Sequence, residues 1–348
     1  MAVVYIMEQG AYLVKEGERI LVKKEKSILH TLHAFKLEQI VIFGNVSITP
    51  AAISYLLRLG IDTVFMSKNG RYKGRLQGPY SKNIGLRQKQ FERFADPEFC
   101  LDIARSIVNG KINNMRVLIL RLNRTKNSKD LELEDHIFQL KKLKQRLKEA
   151  KDVDEIRGIE GRASALYFEG FSKGFVSHTI EFTKRVRRPP TDPVNAILSL
   201  GYTFLFNEVL GAISMIGLDP YLGALHAIEY GRASLALDLM EEWRPVLIDT
   251  LVLSMFNLKA IGMQDFTIFK DHIKESDLSE DMPDLPVRLT NDGMRKFIIQ
   301  FERKMKQKIR HHLTGTHLSY RDCIREQIRH FARHIKGDDP AYQPITFR

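Results

Sequence analysis

The spacing of apolar residues changes part-way along this chain, from short runs to a repeat of three and four. Up to residue 80 the runs are strand-length and end at turn residues. Residues 3–7 stop at Gln9-Gly10, residues 12–14 stop at Glu16-Gly17-Glu18, and residues 20–22 follow. Residues 38–43 end at Gly44-Asn45, and 63–66 end at Lys68-Asn69-Gly70. Asn69-Gly70 ahead of Arg71-Tyr72 predicts a hairpin, because both turn residues tolerate positive φ. One helix interrupts this pattern. Thr49 suits the N-cap, Pro50 the first helical position, residues 51–59 carry helical spacing, and Gly60 closes the segment.

Residues 81–97 hold Gly85, Pro97 and mixed charge, and read as a linker. From Glu98 the repeat predicts helices over 99–109, 113–123, 131–151, 154–172, 192–216, 234–242, 245–257 and 292–312. Strands first and helices afterwards predict a two-domain α+β chain. A small N-terminal β-rich domain (1–80) precedes a larger all-α C-terminal domain (98–336) and a tail (337–348). The charge-dense stretch 141–151 belongs to a helix whose stripe is Ile137, Leu140, Leu143 and Leu147, with a solvated opposite face. The acidic, Pro-containing stretch 276–286 reads as a surface loop.

Apolar residues make up 44% of the 348, enough for a proper core, which excludes wholesale disorder. The net charge of +12 fits a phosphate backbone or an anionic membrane surface, and equally a solvated basic exterior. Cys100 and Cys323 are far apart and lack metal-ligand spacing, so a thiolate zinc site is not expected. The first residues carry no basic, apolar leader, and no run reaches the ~18 apolar residues of a membrane span. The expectation is a soluble, cytoplasmic protein.

Candidate chemistry concentrates at residues 225–245, where His226, Asp238, Glu241 and Glu242 stand in apolar sequence. A buried carboxylate is costly unless paired or metal-bound, and imidazole with carboxylates is ligand chemistry for a divalent ion. His226 and Glu241 would lie about 22 Å apart on one straight helix, so sharing an ion requires the chain to turn back. Gly231 offers that turn and Ser234 a helix start. Asp238 and Glu241 are helix-surface neighbours, at a helix end where the dipole disfavours acids. Glu160 adds a third carboxylate, on the stripe of Ile156, Ala163 and Tyr167. The flanking Gly158 and Gly161 suggest close approach of a backbone or ligand. Taken conservatively, each of these is an ordinary surface feature.

Basic segments point to nucleic acid. Lys184, Arg185, Arg187 and Arg188 precede Pro189-Pro190, and Arg321, Arg325, Arg329 and Arg333 recur every four residues. Arg303, Lys304, Lys306, Lys308 and Arg310 lie upstream of that stripe. A guanidinium row suits a duplex backbone, although any one segment alone is a solvated face.

Several blocks together resemble a known family. They are Arg157-Gly158-Ile159-Glu160-Gly161 with Tyr167-Phe168, the run from Arg188-Pro189-Pro190 to Gly201-Tyr202, Gly217-Leu218-Asp219-Pro220 with Leu225-His226, and Ser234-Leu235-Ala236-Leu237-Asp238 through Trp243-Arg244-Pro245. Phe43-Gly44-Asn45 to Thr49 and Asn69-Gly70-Arg71 also fit. The chain is similar along nearly its whole length to the CRISPR-associated protein one family, the endonuclease and integrase of spacer acquisition. The resemblance implies an N-terminal β domain that dimerises and a helical C-terminal domain. It implies metal ligands at Glu160, His226 and Glu241, which are also the catalytic set, with Asp238 as an auxiliary acidic position. It further implies Mn²⁺ or Mg²⁺, double-stranded DNA as substrate, and a small companion, CRISPR-associated protein two, in a heteromeric complex. Arg232, between the ligand motifs, is a candidate phosphate contact, as are the cations at 184–188. The expected activity is metal-dependent strand cleavage and joining. Its rivals are a non-catalytic basic DNA-binding scaffold and a generic metallohydrolase of small phosphoesters.

Overall fold

A computed structural model describes residues 2–79, 83–125, 133–176, 180–186, 189–268 and 287–347. The first compact unit spans residues 1–80, and the second takes up the chain from residue 81. The first runs β1 (Ala2–Ile6), β2 (Tyr12–Glu16), β3 (Arg19–Lys24), β4 (Ser27–His33), β5 (Leu37–Phe43), β6 (Ser47–Ile48), α1 (Pro50–Leu59), β7 (Asp62–Met66) and β8 (Tyr72–Leu76). Two four-stranded sheets result, ordered β1-β5-β7-β8 and β4-β3-β2-β6. Strands β1, β5 and β7 are parallel, with Tyr5 opposite Val41 and Val41 opposite Val64. β8 returns antiparallel through the expected Asn69-Gly70 turn. Ile6, Leu13, Ile20, Ile40, Ile42 and Leu56 share one buried core. Helix α1 starts as its sequence predicts: Thr49 accepts a hydrogen bond from the amide of Ala52 at 3.4 Å. Strand β4 escaped the pattern because none of its residues is buried, so no alternation marks it.

The second unit is mainly helical. It opens with α2 (Ile84–Phe94), inside the stretch expected to be a linker. Leu86 and Gln90 are buried and Gln90 donates to the Asp219 carbonyl at 2.9 Å, so this segment is packed rather than free. The predicted helices 99–109 and 113–123 are one 29-residue helix, α3 (Pro97–Thr125). Gly110 at the expected break is a close approach: a Cβ there would sit 2.5 Å from Pro344 Cβ. α4 (Glu134–Arg146) buries Leu140 and Leu143 as predicted, and α5 (Val153–Ser172) and α6 (Pro193–Ile216) follow. α6 is long and apolar enough on average to cross a membrane, though Asn195, Asn207 and Glu208 interrupt it, and 67% of its apolar window is buried inside the protein. After α7 (Ser234–Met240) a π-helical stretch, Arg244–Asp249, leads into α8 (Thr250–Asn257).

Strands β9 (Phe266–Ile268) and β10 (Val287–Leu289) pair, and the acidic loop expected at 276–286 lies outside the described residues. α9 (Asn291–Lys306) is shorter than predicted, because Lys308–Arg310 leaves it as β11 to pair with β12 (His317–Ser319). α10 (Tyr320–Lys336) ends the helices. The tail is bolted down. Phe347 N–H donates to Asn114 Oδ1 at 3.1 Å, Ile345 N–H to Glu242 Oε2 at 2.9 Å, and Tyr342 Oη to Glu242 Oε1 at 2.9 Å.

Candidate active site

Four pieces of the second unit meet at one place: α3, α5, the loop after α6, and α7 with the residue that follows it. The stripe predicted for Glu160 is real, since Ile156, Ala163 and Tyr167 are all fully buried on α5. Gly158 and Gly161 are not close approaches, because a Cβ at either would meet nothing within 4 Å. Glu160 Oε1 accepts from Ser164 Oγ at 2.8 Å and pairs with the ammonium of Lys111. Lys111 Nζ also forms an ion pair with Glu241 Oε2 at 2.5 Å. Glu241 Oε1 faces Arg244 Nη1 at 3.2 Å and His226 Nε2 at 3.8 Å. The carboxylates of Glu160 and Glu241 thus share one cation, and the imidazole stands on the far side of Glu241.

The chain turns back between His226 and Glu241 as their separation demanded, with Gly231 at φ +74°. Asp238 holds the turn. Its Oδ2 accepts the amides of Ala224 and Leu225 at 2.7 and 2.9 Å, and its Oδ1 accepts the amide and Nδ1 of His226 at 2.9 and 2.7 Å. A Cβ on Gly223 would lie 2.7 Å from Asp238 Oδ2, so the loop needs glycine to come this near. Four donors saturate this carboxylate. Asp238, expected as an auxiliary acid at the metal, is therefore a loop anchor. In the tautomer that carries its proton on Nδ1, the ring donates to Asp238 and its Nε2 lone pair is the one that can ligate.

Charge compensation here is strong. Burial raises Glu241, but Arg244, Lys111 and His226 outweigh it and bring the carboxyl down to about 2. Burial likewise opposes ionisation of Glu160, and Lys111 reverses it to a net lowering. Arg244 stacks on Tyr202 at 4.8 Å, and the Tyr202 and Tyr167 hydroxyls donate to buried Asp249 at 2.6 and 2.7 Å. Burial pushes Asp249 up to about 6 against those two hydrogen bonds. A cavity of about 220 Å³ adjoins, lined by Lys111, Ser164, Arg185, Tyr202, Arg244 and Asp249.

The donor set, two carboxylates and one free imidazole nitrogen, is the chemistry a divalent ion takes. Lys111 marks the point where positive charge is favoured. Among the described residues, no three His, Cys, Asp or Glu side chains stand close enough to hold an ion as placed. The ammonium occupies the space between two of them.

Comparison with known proteins decides the family. Residues 4–303 match the family described as CRISPR associated protein Cas1. The chain belongs to the Cas1 family. A relative from Thermus thermophilus, named CRISPR-associated endonuclease Cas1 3, is 37% identical over 350 residues, covering 100% of this chain and 98% of its own length. One from Chlorobaculum tepidum, CRISPR-associated endonuclease Cas1 1, is 34% identical over 350 residues, covering 99% and 98%. Among solved structures, a casposase bound to integration product has a TM-score of 0.82 at 23% identity, covering 99% of this chain and 93% of that one. A Cas1 protein from Thermotoga maritima has a TM-score of 0.80 at 24% identity, with 100% of both chains covered. At such identities these two establish the shared fold.

The basic residues of this Cas1 chain sort differently from their sequence reading. Arg185 turns into the cavity, donating to Asn195 Oδ1 at 2.8 Å and Ser199 Oγ at 3.0 Å, while Lys184 is exposed. Arg187 and Arg188 lie outside the described residues. Arg232 pairs with Glu229 at 2.9 Å. The arginine stripe of α10 is not one open row. Arg321 is buried and reaches Glu208 and Glu302, each at 2.7 Å. Arg325, Arg329 and Arg333 pair with Asp322, Glu326 and Asp339. Lys304 is half-buried, and that desolvation brings it down to about 8. Sequence reading missed Lys111. Its signal was there: Lys111 and Asn114 fall on the stripe of Ile107, Met115 and Leu118, where a charge has no place unless paired.

Proposed function

We propose that this Cas1 chain is a divalent-metal-dependent DNA endonuclease and integrase of CRISPR adaptation, an antiviral defence, inserting DNA spacers into the array. One observation carries the reading: carboxylates remote in sequence, Glu160 and Glu241, share a single buried cationic point beside the Nε2 of His226. Glu160, Glu241 and His226 would hold Mn²⁺ or Mg²⁺. When bound, the ion would act as a Lewis acid on the scissile phosphodiester. Arg185 and Arg244 wall the adjoining cavity with positive charge and favour a phosphate there. Asp238 keeps the imidazole in one tautomer. The attacking group is a DNA 3′-hydroxyl in joining and water in hydrolysis, and no protein side chain need become covalently attached.

Partners and place follow from the same reading. Double-stranded DNA is the substrate, and Arg232, Lys184, Arg185, Arg187 and Arg188 are its proposed contacts. The β-rich unit is a homodimer surface, supported by exposed Ile28, Leu29 and Phe35 on and after β4. A structure titled Cas6-RT-Cas1–Cas2 complex shares this fold at a TM-score of 0.82 and 23% identity, and supports a small Cas2 companion. The cytoplasm, where the DNA lies, is the expected compartment.

The test is Glu160→Gln. Strand joining with Mn²⁺ is lost while DNA affinity, measured by gel shift, is kept. Unchanged joining would return the chain to a DNA-binding scaffold. Turnover of a model phosphodiester without DNA dependence would favour a small-phosphoester hydrolase.

A further inference from the structure

Lys111 is a buried ammonium that contacts two of the three side chains proposed to hold the metal. Only 3% of the residue is exposed, and it stands midway along α3, whose apolar face gives it no other acidic partner among the described contacts. Burying such a charge is costly unless it is paired, so these two ion pairs are what allow a lysine at this position. The pairs also complete the site electrostatically, since with Lys111 gone Glu160 and Glu241 would face one another as like charges with little water between them. A divalent ion takes carboxylate oxygens at about 2.0–2.2 Å. The same oxygens cannot serve the ion and the ammonium together, because that would bring like charges nearly into contact.

Lysine differs from arginine in carrying a compact charge on a flexible four-carbon stem. That stem has somewhere to go. Lys111 lines the cavity of about 220 Å³ beside the site, where Ser164, Tyr202 and Asp249 offer oxygens to an ammonium. There it would join Arg185 and Arg244 on the wall proposed to face phosphate.

We propose that Lys111 is an internal counter-ion that competes with the divalent metal for Glu160 and Glu241, and that metal binding displaces its ammonium into the adjoining cavity. The site is then never left as bare carboxylates, and the ammonium of Lys111 joins Arg185 and Arg244 on the substrate side only when the ion is in place. This inference rests on the proposed metal-dependent reading.

The experiment is a Mn²⁺ titration of the full chain, by calorimetry and by the electron paramagnetic resonance signal of free Mn²⁺. Wild type is compared with Lys111→Met, Lys111→Gln and Lys111→Arg. Removing the competitor tightens Mn²⁺ binding by about tenfold or more in the two neutral variants, the range of ordinary coupling between sites. The Lys111→Arg variant is not expected to tighten it, because the positive charge remains. In chelator the neutral variants melt earlier than wild type, and Mn²⁺ raises their melting temperature by more. A merely structural lysine would weaken metal binding when removed. Equal or weaker Mn²⁺ affinity in both Lys111→Met and Lys111→Gln therefore overturns the inference. If Lys111→Met does not fold, Lys111→Gln, with a polar end in the same place, decides. Absence of Mn²⁺ binding in wild type and every variant overturns the metal reading itself, and this inference with it.

Discussion

Replacing Asp238 by asparagine separates two roles for a buried acid beside a metal site. As a ligand, Asp238 would matter only when the ion is bound. As the anchor of the 224–226 loop, it matters in the metal-free protein too. The structure gives four hydrogen bonds, two on each oxygen. Asparagine keeps one acceptor oxygen and turns the other into an N–H₂ group that faces two donors. Whichever way the amide is placed, two hydrogen bonds to a charged group are lost, each worth about 1.5–3 kcal/mol. The sum is about 3–6 kcal/mol, a large part of the 5–15 kcal/mol that holds a typical domain together. Where the NH₂ faces His226, the imidazole also loses the acceptor for its Nδ1 proton, which costs about 10–100-fold in metal affinity. The assay is urea unfolding in chelator, followed by Mn²⁺ titration of the folded variant. A D238N protein as stable as wild type without metal, within about 0.5 kcal/mol, would refute the anchor.

Two further outcomes test the packing around the site. Glu242 is buried, and burial pushes its carboxyl from 4.5 to about 8 against the hydrogen bonds from Tyr342 and Ile345. A raised acid keeps its proton longer in the folded state, so the stabilisation is complete below pH 4.5 and is lost as pH rises to about 8. Denaturant midpoints should therefore show Glu242→Gln gaining on wild type across that window, by at most on the order of 5 kcal/mol; a constant difference between the two proteins contradicts this. Arg321→Ala removes the buried guanidinium shared by the half-buried Glu208 and Glu302 and should cost about 3–5 kcal/mol in urea unfolding. Because Arg321 is buried, the salt dependence of DNA binding should not change, and a shallower slope would put it at the phosphate backbone.

Much of this chain can be read from residue spacing. α1, α5 and α6 begin at Thr49, Asp152 and Asp192, whose side chains cap the next turn as their residue types suggest. Glu160 shows itself as an acid on an apolar stripe. Strand β4 does not, because an exposed strand has no alternating pattern to detect. The joining of 99–109 to 113–123 across Gly110 was hidden as well, since what fills that gap is Pro344, more than two hundred residues away. The arginines of α10 look alike in sequence, yet Arg321 is enclosed by α6 and α9 while Arg329 remains half exposed.

Local chemistry alone determined the two kinds of secondary structure, most helix starts, the turn at Gly231, and which acids and imidazole were worth watching. Those depend on neighbours within one helical turn or one hairpin, which the order of residues states directly. Tertiary structure alone decided what each charge does. Asp238 became an anchor because three loop amides converge on it, and Lys111 became the partner of Glu160 and Glu241 because α3 packs against both α5 and α7. Such roles depend on distances between segments far apart in the chain, and in a low-dielectric interior a few ångströms separate a ligand, a counter-ion and an unpaired charge.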